Sequence, residues 1–193
     1  MLHTSSYRTI ILGCILLCFW GCQASENNQN TSTATDGSRS PERPDTVRTT
    51  SEPFVEFSEE AILGGNIYIP VYSHIYQHNQ QKTFNLTATL SVRNTDLNNA
   101  MTLKKVYYYD SEGDLVQKFL DEATSVLPLS SLSFVVEEED LRGGVGANFL
   151  VLWESTTPIS KPIVEAVMIS TTQQQGISFI STGRTIHSLN RAE

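Results

Sequence analysis

Between Thr83 and Asn94 the chain reads Thr-Phe-Asn-Leu-Thr-Ala-Thr-Leu-Ser-Val-Arg-Asn. Phe84, Leu86, Ala88, Leu90 and Val92 fall on one side of a period-two pattern, and Asn85, Thr87, Thr89, Ser91 and Arg93 on the other. Five repeats of that alternation suit a β-strand with one buried face and suit no helix, whose faces recur every ~3.6 residues. Asn94-Thr95-Asp96 follow, with side chains that bond their own backbone in turns. A strand of this kind needs others beside it and an apolar layer opposite.

Other segments supply them. Asn66 to Tyr76 is rich in Ile, Val and Tyr, with Pro70 marking an edge or a bulge. Leu103 to Tyr109 leads into Asp110-Ser-Glu-Gly113, a hairpin connection with Gly where a positive φ is wanted, and Leu115 to Leu120 returns from it as a strand or a short helix. Pro128-Leu-Ser-Ser131 turns the chain into Leu132 to Glu137; Ala147 to Glu154, Ile163 to Ser170 and Ile177 to Thr182 complete the set. Phe149-Leu-Val-Leu-Trp153 and Val167-Met-Ile169 read as central strands covered on both sides. Eight or nine short strands separated by turns predict an all-β domain over residues 54–193: an antiparallel β-sandwich of immunoglobulin-like architecture, with a barrel as the competitor.

The N-terminal side has a different composition. After Arg8 an apolar run of about a dozen residues, the length of a signal-peptide core and too short to span a bilayer, ends at Gly21-Cys22. The chain then turns abruptly polar. This layout resembles a bacterial lipoprotein signal, with residues 1–21 removed and Cys22 carrying the lipid. Phe19 and Trp20 are bulkier than that pattern prefers, whereas Ile11-Leu-Gly-Cys14 fits locally but leaves too short an apolar core before it. Residues 23 to about 53 are Ser, Thr, Asn, Gln, Asp, Pro and Arg with hardly a large apolar side chain except Val47. Such a stretch cannot bury enough surface to offset chain entropy, so residues 22–53 are expected to be a lipidated cysteine followed by a disordered tether with a reach of roughly 30 Å. Gln23, not Asp, follows the cysteine, which by resemblance to enterobacterial sorting points to the periplasmic face of an outer membrane in a cell that has one.

All three cysteines (Cys14, Cys18 and Cys22) lie in this signal, so the mature domain is expected to hold no disulfide, thiolate metal site or cysteine nucleophile. The formal net charge is −8, and cleavage would remove only Arg8 among the charged side chains. An excess of this size disfavours nucleic acid and anionic head groups as partners. The lipid on Cys22, and no basic patch, would then hold the protein at a membrane.

Motifs that could carry chemistry are few. His74 and His78 have the i, i+4 spacing that chelates zinc on a helix, but on a strand it separates the two Cα atoms by about 13 Å. They are kept as ligand candidates lacking a third partner. Arg142-Gly-Gly-Val-Gly-Ala147 is glycine-rich, yet a strand follows it where a phosphate loop needs a helix, so it is expected to be a flexible connection or a bulge. Glu137-Glu-Glu-Asp140 lacks the alternating ligands and central Gly of an EF-hand loop; a calcium site built from separate loops stays open. Tyr108 faces away from Tyr107 and Tyr109, so one side of that trio is core and the other is available for contacts. Trp153, inside an apolar run, is expected in the core. Ser73 beside His74 is no sign of catalysis, because adjacent strand residues point to opposite faces.

Ile67-Tyr-Ile-Pro-Val-Tyr-Ser-His-Ile-Tyr76, the Phe84–Asp96 segment, Val106-Tyr-Tyr-Tyr-Asp110, Gly146-Ala-Asn-Phe-Leu-Val-Leu-Trp153, Glu165-Ala-Val-Met-Ile169 and Gln174-Gln-Gly-Ile-Ser-Phe179 together resemble one uncharacterised bacterial lipoprotein family, domain of unknown function three-one-two-four. The resemblance implies a fold and an envelope location and carries no activity with it. The expectation is a lipid-anchored, exported binding module without cofactor that is not an enzyme. Another envelope protein, a glycan or a small ligand would be its partner. An envelope hydrolase with a loop-built site and a structural or assembly lipoprotein are the alternatives.

Overall fold

The alternating and β-branched segments become strands throughout the computed structural model, which describes residues 55–120, 122–171 and 176–192. The expected signal peptide, Cys22 and tether lie outside the described residues. In chain order the strands are β1 (Leu63–Pro70), β2 (His74–Tyr76), β3 (Thr83–Asn85), β4 (Thr87–Arg93), β5 (Met101–Tyr109) and β6 (Leu115–Lys118). They continue with β7 (Thr124–Val126), β8 (Ser131–Val136), β9 (Asn148–Ser155), β10 (Ile163–Ser170), β11 (Ile177–Thr182) and β12 (Arg184–Asn190). A single 3-10 turn at Gly144–Gly146 is the one helical element among the described residues.

All observed pairings are antiparallel. A large sheet runs in the order β12-β1-β9-β5-β6, with β7 also on β5, and a small sheet runs β11-β10-β4-β8. One apolar layer joins them. Ile67, Ile69, Phe149, Val151, Val106 and Tyr108 of the large sheet share a cluster with Leu86, Leu90, Val92, Val164, Ala166 and Met168 of the small one. The domain is an antiparallel β-sandwich. Each fully buried leucine in it is worth on the order of 2 kcal/mol relative to exposure.

The opening alternation holds for its faces: Leu86, Ala88, Leu90 and Val92 are all buried to within 1%. Its continuity does not hold. The strand breaks at Leu86, whose amide donates to Ser73 O at 2.9 Å, so that β3 peels away to pair with β2 as a separate hairpin. The same hairpin splits the expected Asn66–Tyr76 segment after Pro70. Leu115 to Lys118 is a strand and not a helix. Two strands went unanticipated: β7, only three residues long, and β12, exposed along most of its length.

Of the two segments read as covered on both sides, β9 is one, buried from Val151 to Ser155. The other, Val167-Met-Ile169, is corrected: Met168 is buried, Val167 is half-buried and Ile169 is 42% exposed. Among the described residues no layer covers the outer face of the small sheet, so its apolar run is less amphipathic than its environment. Trp153 is core, as expected, with its indole Nε1 buried and without a hydrogen-bond partner.

The turns follow their side chains. Asp110 accepts from the amides of Glu112 at 3.0 Å and Asp114 at 2.8 Å, and Gly113 takes φ 85° between them. After β4, Asp96 accepts from the amides of Asn98, Asn99 and, across the sequence, Ser160 at 2.8–3.0 Å. Those three donors hold its carboxyl down at about 2.

Candidate binding surface

Period-two strands that bury one face must show the other, and in the small sheet that other face is unusual in composition. Its register aligns Val135, Thr89, Val167 and Ile180 in one row across four strands. Ile169, Thr87 and Ser178 form the next row, and Ser133, Ser91, Glu165 and Thr182 the row on the other side. Val135, Ile163, Ile169 and Ile180 are 48%, 49%, 42% and 63% exposed. The charges on this face, Arg93 and Glu165, pair with each other at 3.2 Å. A chain with net charge −8 therefore presents a broad, nearly neutral surface of β-branched and hydroxyl side chains. Covering its strands would desolvate no unpaired charge, the exposed Glu137 lying just past Val136 at the β8 edge.

Ile180 also borders a cleft of about 620 Å³ lined by Tyr68, Pro70, Ser181, Thr182, Gly183 and Arg184. It exists because one continuous strand serves both sheets. β11 pairs with β10, the chain bends at Gly183, and β12 pairs with β1. The corner is tight: the Gly183 amide donates to Val164 O at 2.8 Å, and a Cβ there would sit 2.6 Å from Ile67 Cγ2 and 2.9 Å from Val164 O. Sequence reasoning missed this feature. Its signal was a lone glycine between two β-branched stretches, the mark of a bend or a close backbone approach.

The sequence-nominated residues sit elsewhere. His74 lies on β2, 6.1 Å from the ring of Tyr76, and His78 lies in the turn between β2 and β3. Among the described residues no three His, Cys, Asp or Glu side chains gather at a spacing that could hold a metal. Ser73 does touch its neighbour, contrary to the opposite-face expectation, because it precedes the strand: Oγ lies 3.3 Å from His74 Nδ1. That hydroxyl also faces the carbonyls of Gly144 at 3.1 Å and Leu141 at 3.3 Å, in a residue 1% exposed. It is a buried loop tie. His187 stacks on Phe57 with centroids 5.9 Å apart.

The acidic run and the glycine-rich loop converge on one spot. Arg142 donates through Nε and Nη2 to the two oxygens of Asp140, at 2.8 and 2.7 Å. The loop after it is tied at two points: Ser111 Oγ donates to Gly143 O at 3.1 Å and accepts from the Gly146 amide at 2.9 Å. Tyr108, 1% exposed, packs its ring on Phe149 at 5.1 Å and its hydroxyl against Gly143. Of the tyrosine trio, Tyr108 is core, while Lys118 Nζ lies 5.2 Å over the ring of Tyr107 on the far side of the sheet. Burial, and then the Asp140 charge, push the Tyr108 phenol up to about 12. The Arg142 hydrogen bond holds Asp140 down, and Asp140 in turn holds the guanidinium up. All three move away from neutrality, the direction of a lock.

No curated protein matches the chain. Among solved structures it is similar to "Crystal Structure of Thermotoga maritima 1070", at 11% identity, a TM-score of 0.38, and coverage of 62% of this chain and 92% of that one. A family model described as "Protein of unknown function (DUF3124)" matches residues 64–186, from β1 into β12, taking in both sheets and the Gly183 corner. The chain belongs to that family.

Proposed function

We propose that the chain is an exported recognition module, held at a membrane by lipid on Cys22, that binds another envelope component through the outer face of its small sheet. The observation that carries this reading is the Val135–Thr89–Val167–Ile180 row, exposed at its two ends and half-buried between them in an acidic protein, and flanked by hydroxyls and one self-neutralised ion pair. Two groups that could support a hydrolytic reading are committed to other contacts. Ser73 is buried against carbonyls, and Asp140 is taken by Arg142. The membrane attachment rests on the apolar run ending at Gly21-Cys22 and on the polar stretch after it. The periplasmic face of an outer membrane is the proposed location in a two-membrane cell, with an envelope protein or a glycan as partner.

A photo-crosslinking residue at Thr89, in the lipidated protein in its native membrane, tests the face. It is expected to capture a discrete partner, whereas the same residue at Leu97, 71% exposed and off the face, captures none. Equal capture from both positions, or none from Thr89, removes the reading. Cys22→Ser should leave unprocessed precursor; a Cys22→Ser chain still cleaved and membrane-bound like the parent would remove the lipid anchor.

A further inference from the structure

We infer that the cleft beside Gly183 is a site for the C-terminal end of an extended peptide, with Arg184 receiving the terminal carboxylate. This deepens the recognition reading above and concerns the edge of the small sheet, which shares Ile180 with the broad face.

The argument starts at an unguarded edge. β11 is the last strand of its sheet, and Ile177-Ser-Phe-Ile-Ser-Thr182 contains no charge and no proline. Edge strands ordinarily carry one or the other to repel a further strand. The opposite edge, β8, does run directly into the acids Glu137 to Asp140. Among the described residues no strand pairs with the outer backbone groups of β11, which suits an added strand, the mode of recognition in which main-chain bonds supply affinity and pockets supply choice.

The corner then fixes where such a guest must end. Past Gly183 the position beside the strand is filled by β1, whose last rung on this side is Tyr68 with Arg184. Beyond that rung β1 diverges and reaches Pro70, which has no N–H to offer. The result is a V with Tyr68 and Pro70 on one wall, Ile180 to Thr182 on the other, and Arg184 at its apex. A guest lying along β11 is stopped at the apex, so a chain terminus belongs there.

Charge chooses which terminus. Arg184 is exposed and takes part in none of the ion pairs among the described residues, which join Arg93–Glu165, Lys104–Glu154 and Arg142–Asp140. A guest antiparallel to β11 would bring an ammonium to the guanidinium. A parallel guest brings its carboxylate, which a guanidinium binds with two parallel hydrogen bonds. The walls of Tyr68, Pro70 and Ile180 suit an apolar last side chain.

The test uses the full chain in lipid nanodiscs and the peptide acetyl-Thr-Val-Thr-Ile, as free acid and as C-terminal amide, followed by calorimetry. The free acid is expected to bind at least about tenfold more tightly than the amide, the worth of one charge-assisted bond. Arg184→Gln should lower the acid to the affinity of the amide, Arg184→Lys should recover part of the difference, and Ile180→Asp should weaken both. Melting temperatures of the variants establish that each is folded. Equal affinities of acid and amide, binding of the acid unchanged by Arg184→Gln, or no saturable binding of the acid at millimolar concentration would each overturn the site. Because Thr89 crosslinking reads the broad face alone, loss of the peptide site and loss of the face reading are separable results.

Discussion

Ser58 engages both carboxylate oxygens of Glu154, its amide donating to Oε2 at 3.0 Å and its hydroxyl to Oε1 at 2.8 Å. Lys104 Nζ completes the cluster at 3.1 Å from Oε1. Burial pushes this carboxyl up, but the Ser58 and Lys104 contacts together outweigh it and leave its pKa below the ordinary value. Glu154 is 6% exposed, so removing its charge weakens three charge-assisted contacts to donors that are themselves only partly buried. Glu154→Gln is expected to cost about 2 kcal/mol in urea unfolding and to free the segment before β1 to proteolysis. A variant as stable and as resistant as the parent would show that the clamp is dispensable.

Leu90 is fully buried between the sheets, opposite Phe134 on one neighbour and Ala166 on the other. Leu90→Asp places a carboxylate there without a partner and should leave the domain unfolded, read as loss of the β-type circular dichroism signal and of cooperative melting. Leu90→Ala should remain folded at a cost of about 2–5 kcal/mol. A cooperative Leu90→Asp transition would mean that the inner layer can be rearranged around a charge.

Acid stability should track Asp96. Its folded-state value of about 2 lies below the ordinary 3.8, so its contribution is complete above 3.8 and is lost as pH falls toward 2. Melting temperature is therefore expected to decline through that window, and Asp96→Asn, already without the carboxylate, should decline less steeply. Parallel curves for the two proteins would assign the acid sensitivity to other carboxylates.

Gly183 and Gly113 should respond to alanine for different reasons. Around Gly113 nothing lies within 4 Å of a new Cβ, and its φ of 85° is the only obstacle, costing about 1 kcal/mol. At Gly183 the obstacle is Ile67, Ile69 and the carbonyl of Val164, and overpacking there should cost about 1–3 kcal/mol. Hydrogen exchange would separate them: Gly183→Ala should loosen β12, whereas Gly113→Ala should leave it protected.

Much of the fold could be read from residues two apart. Leu86 to Val92 announced its buried face, and β10 and β11 came out with the bounds their composition suggested. What stayed hidden depended on partners distant in sequence. β12 has exposed positions on both of its faces, so no alternation marked Thr185 to Ser188 as strand; its ladder to β1 makes it one. Val167 and Ile169 looked like core because apolar runs do not say which side is covered. The cleft needs the Tyr68–Arg184 rung, a pairing across more than half the chain that no local pattern encodes. His74 and His78 were legible as residues, and the β2–β3 hairpin decides that they sit on a strand and in its turn.

The Arg191 guanidinium reaches the carbonyls of Glu59 at 2.8 Å and Ala61 at 3.0 Å, and its amide donates to Ile62 O at 2.8 Å, beside the Ser58–Glu154 clamp. Both ends of the folded chain are thereby fastened at the same end of the large sheet. Tension applied between those two ends first meets these contacts and then the Leu63–Asn190 rung, the outermost of the β1–β12 ladder. The β1–β12 ladder is antiparallel and loaded from its open end, so it peels one rung at a time and is spared the shear in which bonds must rupture together. A domain pulled by its two ends would thus yield early at β12, held back chiefly by the Arg191 contacts, and its force-extension trace should open with a low-force step that Arg191→Ala lowers further.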